Sequence, residues 1–133
     1  VNGRQQVLLQ DDINAGAGVM WRMHTNASVN VDSSGTSATL TLEGQTMKVD
    51  MLNPPSGAQF TTGDAVRLPG DPALPSGQVD QANPGVKVLI INLPAGTYSL
   101  QVLFSPQWAG LQQSDYVTPK SVPLGSWSLT SHN

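Results

Sequence analysis

The sequence predicts an all-β chain folded as a two-sheet antiparallel β-sandwich, and three observations carry that prediction. Apolar residues recur at every second position, the period of a strand, and not at the helical period of about 3.6. Turn formers are dense, with 13 Gly and 10 Pro in 133 residues. One stretch, Val86–Leu93, is apolar on both of its faces, as a strand in the middle of a packed sheet must be. The length fits one domain on the rough scale of 100–200 residues per domain. It suffices to bury a core without disulfides or metals.

The elements follow in chain order. Gln5–Ile13 reads as a strand led by Asn2-Gly3, a strong hairpin dipeptide. Only Val1 precedes that dipeptide, so the strand that should enter the turn is missing and the edge is left open. Open edges pair with other chains, which predicts a homodimer through the Gln5–Ile13 edge. In Gly18–Thr25, Val19, Trp21 and Met23 share one face while Met20, Arg22 and His24 share the other. Trp21 is therefore expected in the core. Val29 and Val31 share a face of Ser28–Asp32, and Ser33-Ser34-Gly35-Thr36 makes the next hairpin turn. Ala38, Leu40 and Leu42 are expected to face inward from Ala38–Glu43. Glu43-Gly44-Gln45-Thr46 turns into Met47–Leu52, where Met47, Val49 and Met51 alternate with Lys48, Asp50 and Leu52.

Pro69–Gly85 holds four Pro and three Gly in 17 residues and reads as a long surface loop. Val86–Leu93 is the central strand. Pro94-Ala95-Gly96 is expected to turn it as a hairpin into Thr97–Phe104, since Pro fixes one corner and Gly opens the other. Ser105–Lys120 is irregular, with a short turn near Leu111–Ser114. Trp127 alternates with Leu129 and is expected to be a core residue of a last strand. This spacing implies about nine strands.

Composition narrows the function. Charged residues are only 11% of the chain, against roughly 25% in an average soluble domain. The polar surface comes instead from 13 Ser, 10 Thr, 8 Asn and 11 Gln, a balance typical of secreted wall or matrix proteins, so an extracellular location is expected. Net charge is −3 with six scattered Lys and Arg. That is a poor footprint for nucleic acid, an anionic membrane surface or a highly sulfated glycan. No apolar run approaches the length of about 20 residues that a membrane span needs. The absence of Cys removes disulfides, zinc thiolate sites and thiol chemistry. No cofactor motif is present. The chain opens at Val1 without Met or a signal h-region, which reads as a processed or excised piece.

Three stretches, QVLLQDDI (Gln6–Ile13), WRMHTN (Trp21–Asn26) and NPGVKVLIINLPAGTYSLQVLF (Asn83–Phe104), resemble the C-terminal β-sheet region of fungal heparinase II/III-family proteins. The likeness runs from about Gly3 to the end of the chain. It implies a parent in which a helical toroid precedes the sandwich and acidic polysaccharides are cleaved by β-elimination. In that family the chemistry rests mainly on Tyr, Asn or His of the toroid. A further His comes from a Gly-His-x-His-x-Asp stretch. This chain has no Gly-His pair, and its only two His are His24 and His132. His24 matches the downstream Trp-Arg-x-His strand, so the resemblance implies no catalytic residue here. It implies that the isolated piece is not an enzyme.

Candidate sites remain. Arg22 and His24, two apart on a strand, share a face at a spacing of roughly 7 Å. With Asp11, Asp12 or Asp32 on a neighbouring strand they read as a polar site, as a cross-strand ion pair with a hydrogen-bonded His, or as a face that met the missing toroid. Trp108 and Tyr116 sit in a turn-rich segment beside Gln107, Gln112, Gln113 and Asp115. Aromatic faces with amides alongside grip sugar rings; the plainer reading is that these aromatics anchor the loop to the sandwich. Asp64, Asp71 and Asp80 surround the Pro-rich loop without the spacing of a known calcium motif, so no metal site is assigned. Asp11 and Asp12, adjacent on a strand, point to opposite faces and make no acid/base couple. Asn26-Ala27-Ser28 is an N-glycosylation sequon.

These features lead to a non-catalytic secreted sandwich that recognises a glycan or a cell-surface receptor through the Ser105–Lys120 and Pro69–Gly85 loops. Two alternatives stay open. One is a fungal effector or immunomodulatory protein that binds a protein receptor. The other is an accessory part of a polysaccharide lyase, active only with its toroid.

Overall fold

The computed structural model of the protein describes residues 1–128. Eight strands occur among these residues: β1 (Val7–Ala15), β2 (Val19–Thr25), β3 (Ser28–Val31), β4 (Ser37–Leu42), β5 (Gln45–Leu52), β6 (Phe60–Asp64), β7 (Lys87–Leu93) and β8 (Gly96–Pro106). They form two antiparallel sheets, a larger one in the order β1-β8-β5-β4-β3 and a smaller one in the order β2-β7-β6. The chain is thus the two-sheet sandwich that its alternation predicts. No helix among the described residues is long and apolar enough to cross a membrane.

The core lies between the sheets. Leu40, Val49, Met51, Leu100 and Val102 come from the larger sheet and meet Phe60, Leu89, Ile91 and Leu93 of the smaller. Trp21 is half-buried and packs against this cluster with Val19 and Met23. β7 is central as expected, with Trp21 and Phe60 on either side of Ile91. Side chains such as Ile91 and Leu100, fully removed from water, each contribute roughly 1.5–3 kcal/mol.

Pro94-Ala95 does not make a hairpin. β7 and β8 lie in different sheets, and the two residues carry the chain across the sandwich. The geometry explains why so few suffice. Three peptide steps reach at most about 10–11 Å, and packed sheets stand about 10 Å apart. Both strands need partners on both sides, and each finds them only in its own sheet. A Cβ at Gly96 would lie 2.7 Å from the Tyr98 hydroxyl oxygen, so any larger residue there would displace that ring. That hydroxyl folds back and donates to the Pro94 carbonyl at 3.1 Å. Asn26-Ala27 makes an equivalent two-residue crossing from β2 to β3.

The remaining connections divide between agreement and correction. The β3–β4 and β4–β5 hairpins form where the turn residues place them. Glu43 and Gly44 both take positive φ, 49° and 79°, which is the two-residue turn that matches strand twist. Leu42, expected inward, is 50% exposed beside that turn. β6 has no alternating pattern in the sequence because only Phe60 of its five residues is buried. Asn2-Gly3 is not a hairpin turn. Asn2–Arg4 forms a single 3₁₀ turn with three successive positive φ values, 51°, 61° and 71°. β1 begins beyond it and pairs with β8, so it is an edge strand.

The outer face of the larger sheet is covered as well. Gln6, Gln101, Leu103 and Ser105 are buried although they lie outside the inter-sheet cluster. The Gln6 amide donates to Ser105 Oγ at 2.8 Å and to the Val117 carbonyl at 3.1 Å, and accepts from the Val117 N–H at 3.0 Å. The Gln101 amide donates to Gln10 Oε1 and to Ser121 Oγ, both at 3.0 Å. The chain beyond β8 therefore folds back over its own sheet through satisfied amides. No strand follows β8 among the described residues. Trp127 instead follows a 3₁₀ turn at Leu124–Ser126 and stays half-buried outside the core cluster. Its expected partner Leu129 lies outside the described residues, as does His132.

Ile91→Ala is expected to cost about 2–5 kcal/mol in denaturant unfolding, the range for deleting a fully buried side chain. Leu42→Ala should stay within about 0.5 kcal/mol, as an exposed position does.

Candidate functional site

Strand register places the irregular segments. Val7 pairs with Phe104, Met47 with Pro106, Thr41 with both Thr46 and Ser28, and Lys87 with both Thr25 and Asp64. The N-terminal turn, the Asn26-Ala27 crossing, the Glu43-Gly44 hairpin, the connection 65–86 and the segment after Pro106 thus all leave from one end of the sandwich. The opposite end carries the Pro94-Ala95 crossing and the β3–β4 hairpin. Both long irregular segments of the sequence gather at a single end, where loops on a rigid frame commonly carry binding.

Trp108 is the exposed aromatic of this end, with 51% of its surface accessible. It is held tightly for so exposed a residue. Its ring N–H donates to the Gln5 carbonyl at 2.9 Å, and its backbone N–H donates to the Tyr116 hydroxyl at 2.9 Å. That hydroxyl in turn donates to the Pro106 carbonyl at 2.8 Å. Tyr116 is therefore the anchor of the loop, and Trp108 is the face it presents.

The amides of the same loop form a chain. The Lys48 ammonium donates to Gln113 Oε1 at 2.7 Å, the Gln113 amide donates to Gln107 Oε1 at 2.7 Å, and the Gln107 amide donates to the Ser105 carbonyl at 2.8 Å. Gln112 and Asp115 serve a 3₁₀ turn at Gln113–Asp115, with the Asp115 carboxylate accepting from the Gln112 N–H at 2.7 Å. The Asn2 amide donates to the Asp115 carbonyl at 2.7 Å. The structure thus brings Gln107, Gln112, Asp115 and Tyr116 into one loop with Trp108. Asp115 and Tyr116 are turned to building the loop. Sequence reasoning missed Asn2, Gln5 and Lys48. Register alone reveals Lys48, which sits opposite Ser105.

Next to this loop a cavity of about 770 Å³ opens between the N-terminal turn and residues 117–120, with Arg4, Gln6, Leu8, Lys120 and Trp127 on its walls. Its volume falls in the range of roughly 300–1,000 Å³ that small-ligand sites occupy. Two of the six cations of the chain, Arg4 and Lys120, line it.

Arg22 and His24 do share a face, the outer one of the smaller sheet, opposite Ile90 and Val88. The expected ion pair does not form. Asp11 and Asp12 lie on β1 and Asp32 follows β3, both in the other sheet. Asp12 accepts from Ser99 at 2.9 Å, and Asp32 accepts from the Ser34 hydroxyl at 2.6 Å. Arg22 Nε is buried without a hydrogen-bond partner among the described residues. His24 is exposed.

The acidic residues of the Pro-rich connection are each engaged separately. Asp64 pairs with Lys87 at 2.6 Å, Asp71 accepts from the Leu68 N–H at 2.7 Å, and Asp80 lies 3.8 Å from Arg67, which also donates to the Pro72 carbonyl. No cluster of three or more His, Cys, Asp or Glu able to hold a metal occurs among the described residues. The hydrogen bond from Lys87, and then its charge, hold the Asp64 carboxyl below its ordinary value.

Compared with known proteins, the chain matches no family model and no curated sequence.

Tyr116→Phe is expected to cost about 0.5–1.5 kcal/mol and to make Trp108 fluorescence more accessible to quenchers. The Asp64–Lys87 pair closes the stem of the connection 65–86. Because the Asp64 pKa is lowered by folding, its contribution is complete above the ordinary carboxylate pKa and is lost as the pH falls through the folded value. A carboxyl-carbon NMR titration should give Asp64 a midpoint below that of free Asp, and Lys87→Met should raise it.

Proposed function

We propose that this domain is a non-catalytic, secreted recognition module that binds a glycan on a cell or matrix surface through the loop end of the sandwich. Trp108 is the platform and the cavity between residues 1–4 and 117–120 is the groove beside it. The observation that carries this reading is the pinned, half-exposed Trp108 ring. An indole whose ring N–H is bonded and whose backbone is anchored loses little entropy on binding, and its face takes the C–H surface of a sugar while nearby amides and hydroxyls take the ring oxygens. Gln107 and Gln113 belong to the same loop and, with Lys48 bonded to them, keep donor capacity left over.

The resemblance to the sheet region of heparinase II/III-family proteins supports a polysaccharide context. The low charge and hydroxyl-rich surface support an extracellular one. Binding does not call for chemistry on the ligand, and the side chains gathered around Trp108 are hydrogen-bonding groups suited to holding it.

Titration calorimetry with neutral and acidic polysaccharides tests the proposal. Trp108→Ala should weaken binding at least about tenfold, equivalent to about 1.4 kcal/mol, while the circular dichroism spectrum keeps its strand signature. Tyr116→Phe should weaken it less. Failure of every polysaccharide to bind, together with attachment to cells that survives their deglycosylation, would replace the glycan with a protein receptor.

A further inference from the structure

We propose that Asn26 is a site of N-linked glycosylation. Of the eight Asn in the chain, only Asn26 has Ser or Thr two positions on, and the residue between is Ala27 and not Pro. The structure adds what the tripeptide alone lacks. Asn26 stands at the crossing between β2 and β3, exposed, and its side chain takes part in no hydrogen bond among the described residues. The rest of the crossing is fixed beneath it. Ala27 is 6% exposed and belongs to the core cluster, and its N–H is held by Thr25 Oγ1 at 3.0 Å. The Ser28 hydroxyl donates to the Thr41 carbonyl at 3.2 Å, on an exposed part of the strand. A two-residue crossing that buries one side chain must turn the other outward, and the outward one is the acceptor amide.

The chemistry needs a lipid-linked oligosaccharide diphosphate as co-reactant. The Nδ2 of Asn26 forms a bond to C1 of the first sugar while the C1–O bond to the diphosphate breaks. The diphosphate leaves with the electron pair and the amide gives up one proton. The product keeps one N–H on Nδ2. It places a hydrated chain at the same end of the sandwich as Trp108, across the width of β3, β4 and β5. This inference does not depend on what Trp108 binds.

The test is secretion of the full chain from a eukaryotic host behind a cleavable leader, followed by intact mass measurement. The expected product is heavier than the 14.0 kDa polypeptide and returns to the polypeptide mass, shifted only by conversion of Asn26 to Asp, after amidase release of N-glycans. Asn26→Gln and Ser28→Ala should each give the unmodified mass, and Ser28→Thr should keep the modification, which separates loss of the acceptor from loss of the fold. A folded, secreted wild-type chain at the unmodified mass would overturn the proposal. So would added mass that persists in Asn26→Gln.

Discussion

Everything in this molecule depends on the contact between two apolar sheet faces. Leu89, Ile91 and Leu93 on one side and Val49, Leu100 and Val102 on the other are buried together, and this contact sets the separation of the sheets. That separation then dictates the connections. A gap of about 10 Å is what two intervening residues can span, and the chain crosses it twice in that way, at Asn26-Ala27 and at Pro94-Ala95. Pro94-Ala95-Gly96 reads as a hairpin turn from its residues, but β7 and β8 are each paired on both sides within their own sheets, and β2 and β3 end as edge strands of opposite sheets.

A second layer rests on different physics. The outer face of β8 carries Ser99, Gln101, Leu103 and Ser105, and two of its polar groups are as deeply buried as the core. Burying an amide costs free energy unless its donors and acceptors are met. Here Gln6 and Gln101 are each met by two or more partners. The amide-rich composition, which looked like surface polarity, is partly interior scaffolding. It fixes where the chain beyond Pro106 lies, and through that it fixes Trp108.

The candidate site is therefore a product of both layers. The sandwich sends its long loops from one end, and the amide layer ties the last of them to the N-terminal turn through Asn2, Gln5 and Gln6. Residues more than a hundred positions apart meet within hydrogen-bond distance. A tight turn with three positive φ values is held in this way by contacts from the far end of the chain. The Pro-rich connection is organised separately, with its stem closed by Asp64 and Lys87 and its interior drawn in by Arg67.

Alternation by itself determined the class of fold, the inward faces of β2, β5 and β8, and the central place of β7, because burial of one face imposes period two whatever the partner. Turn residues determined the β3–β4 and β4–β5 hairpins, because positive φ at Gly35 and Gly44 is a local demand. Partnership was decided only in three dimensions. A strand with two buried faces does not say which sheet it joins, so Pro94-Ala95 read as a hairpin and became a crossing. An Arg and a His on one face do not say which sheet holds the nearest carboxylate, so Arg22 lacks the partner expected of it. Trp108 and Tyr116 look alike in a polar segment; only the fold turns the hydroxyl of one inward as an anchor and leaves the ring of the other in water.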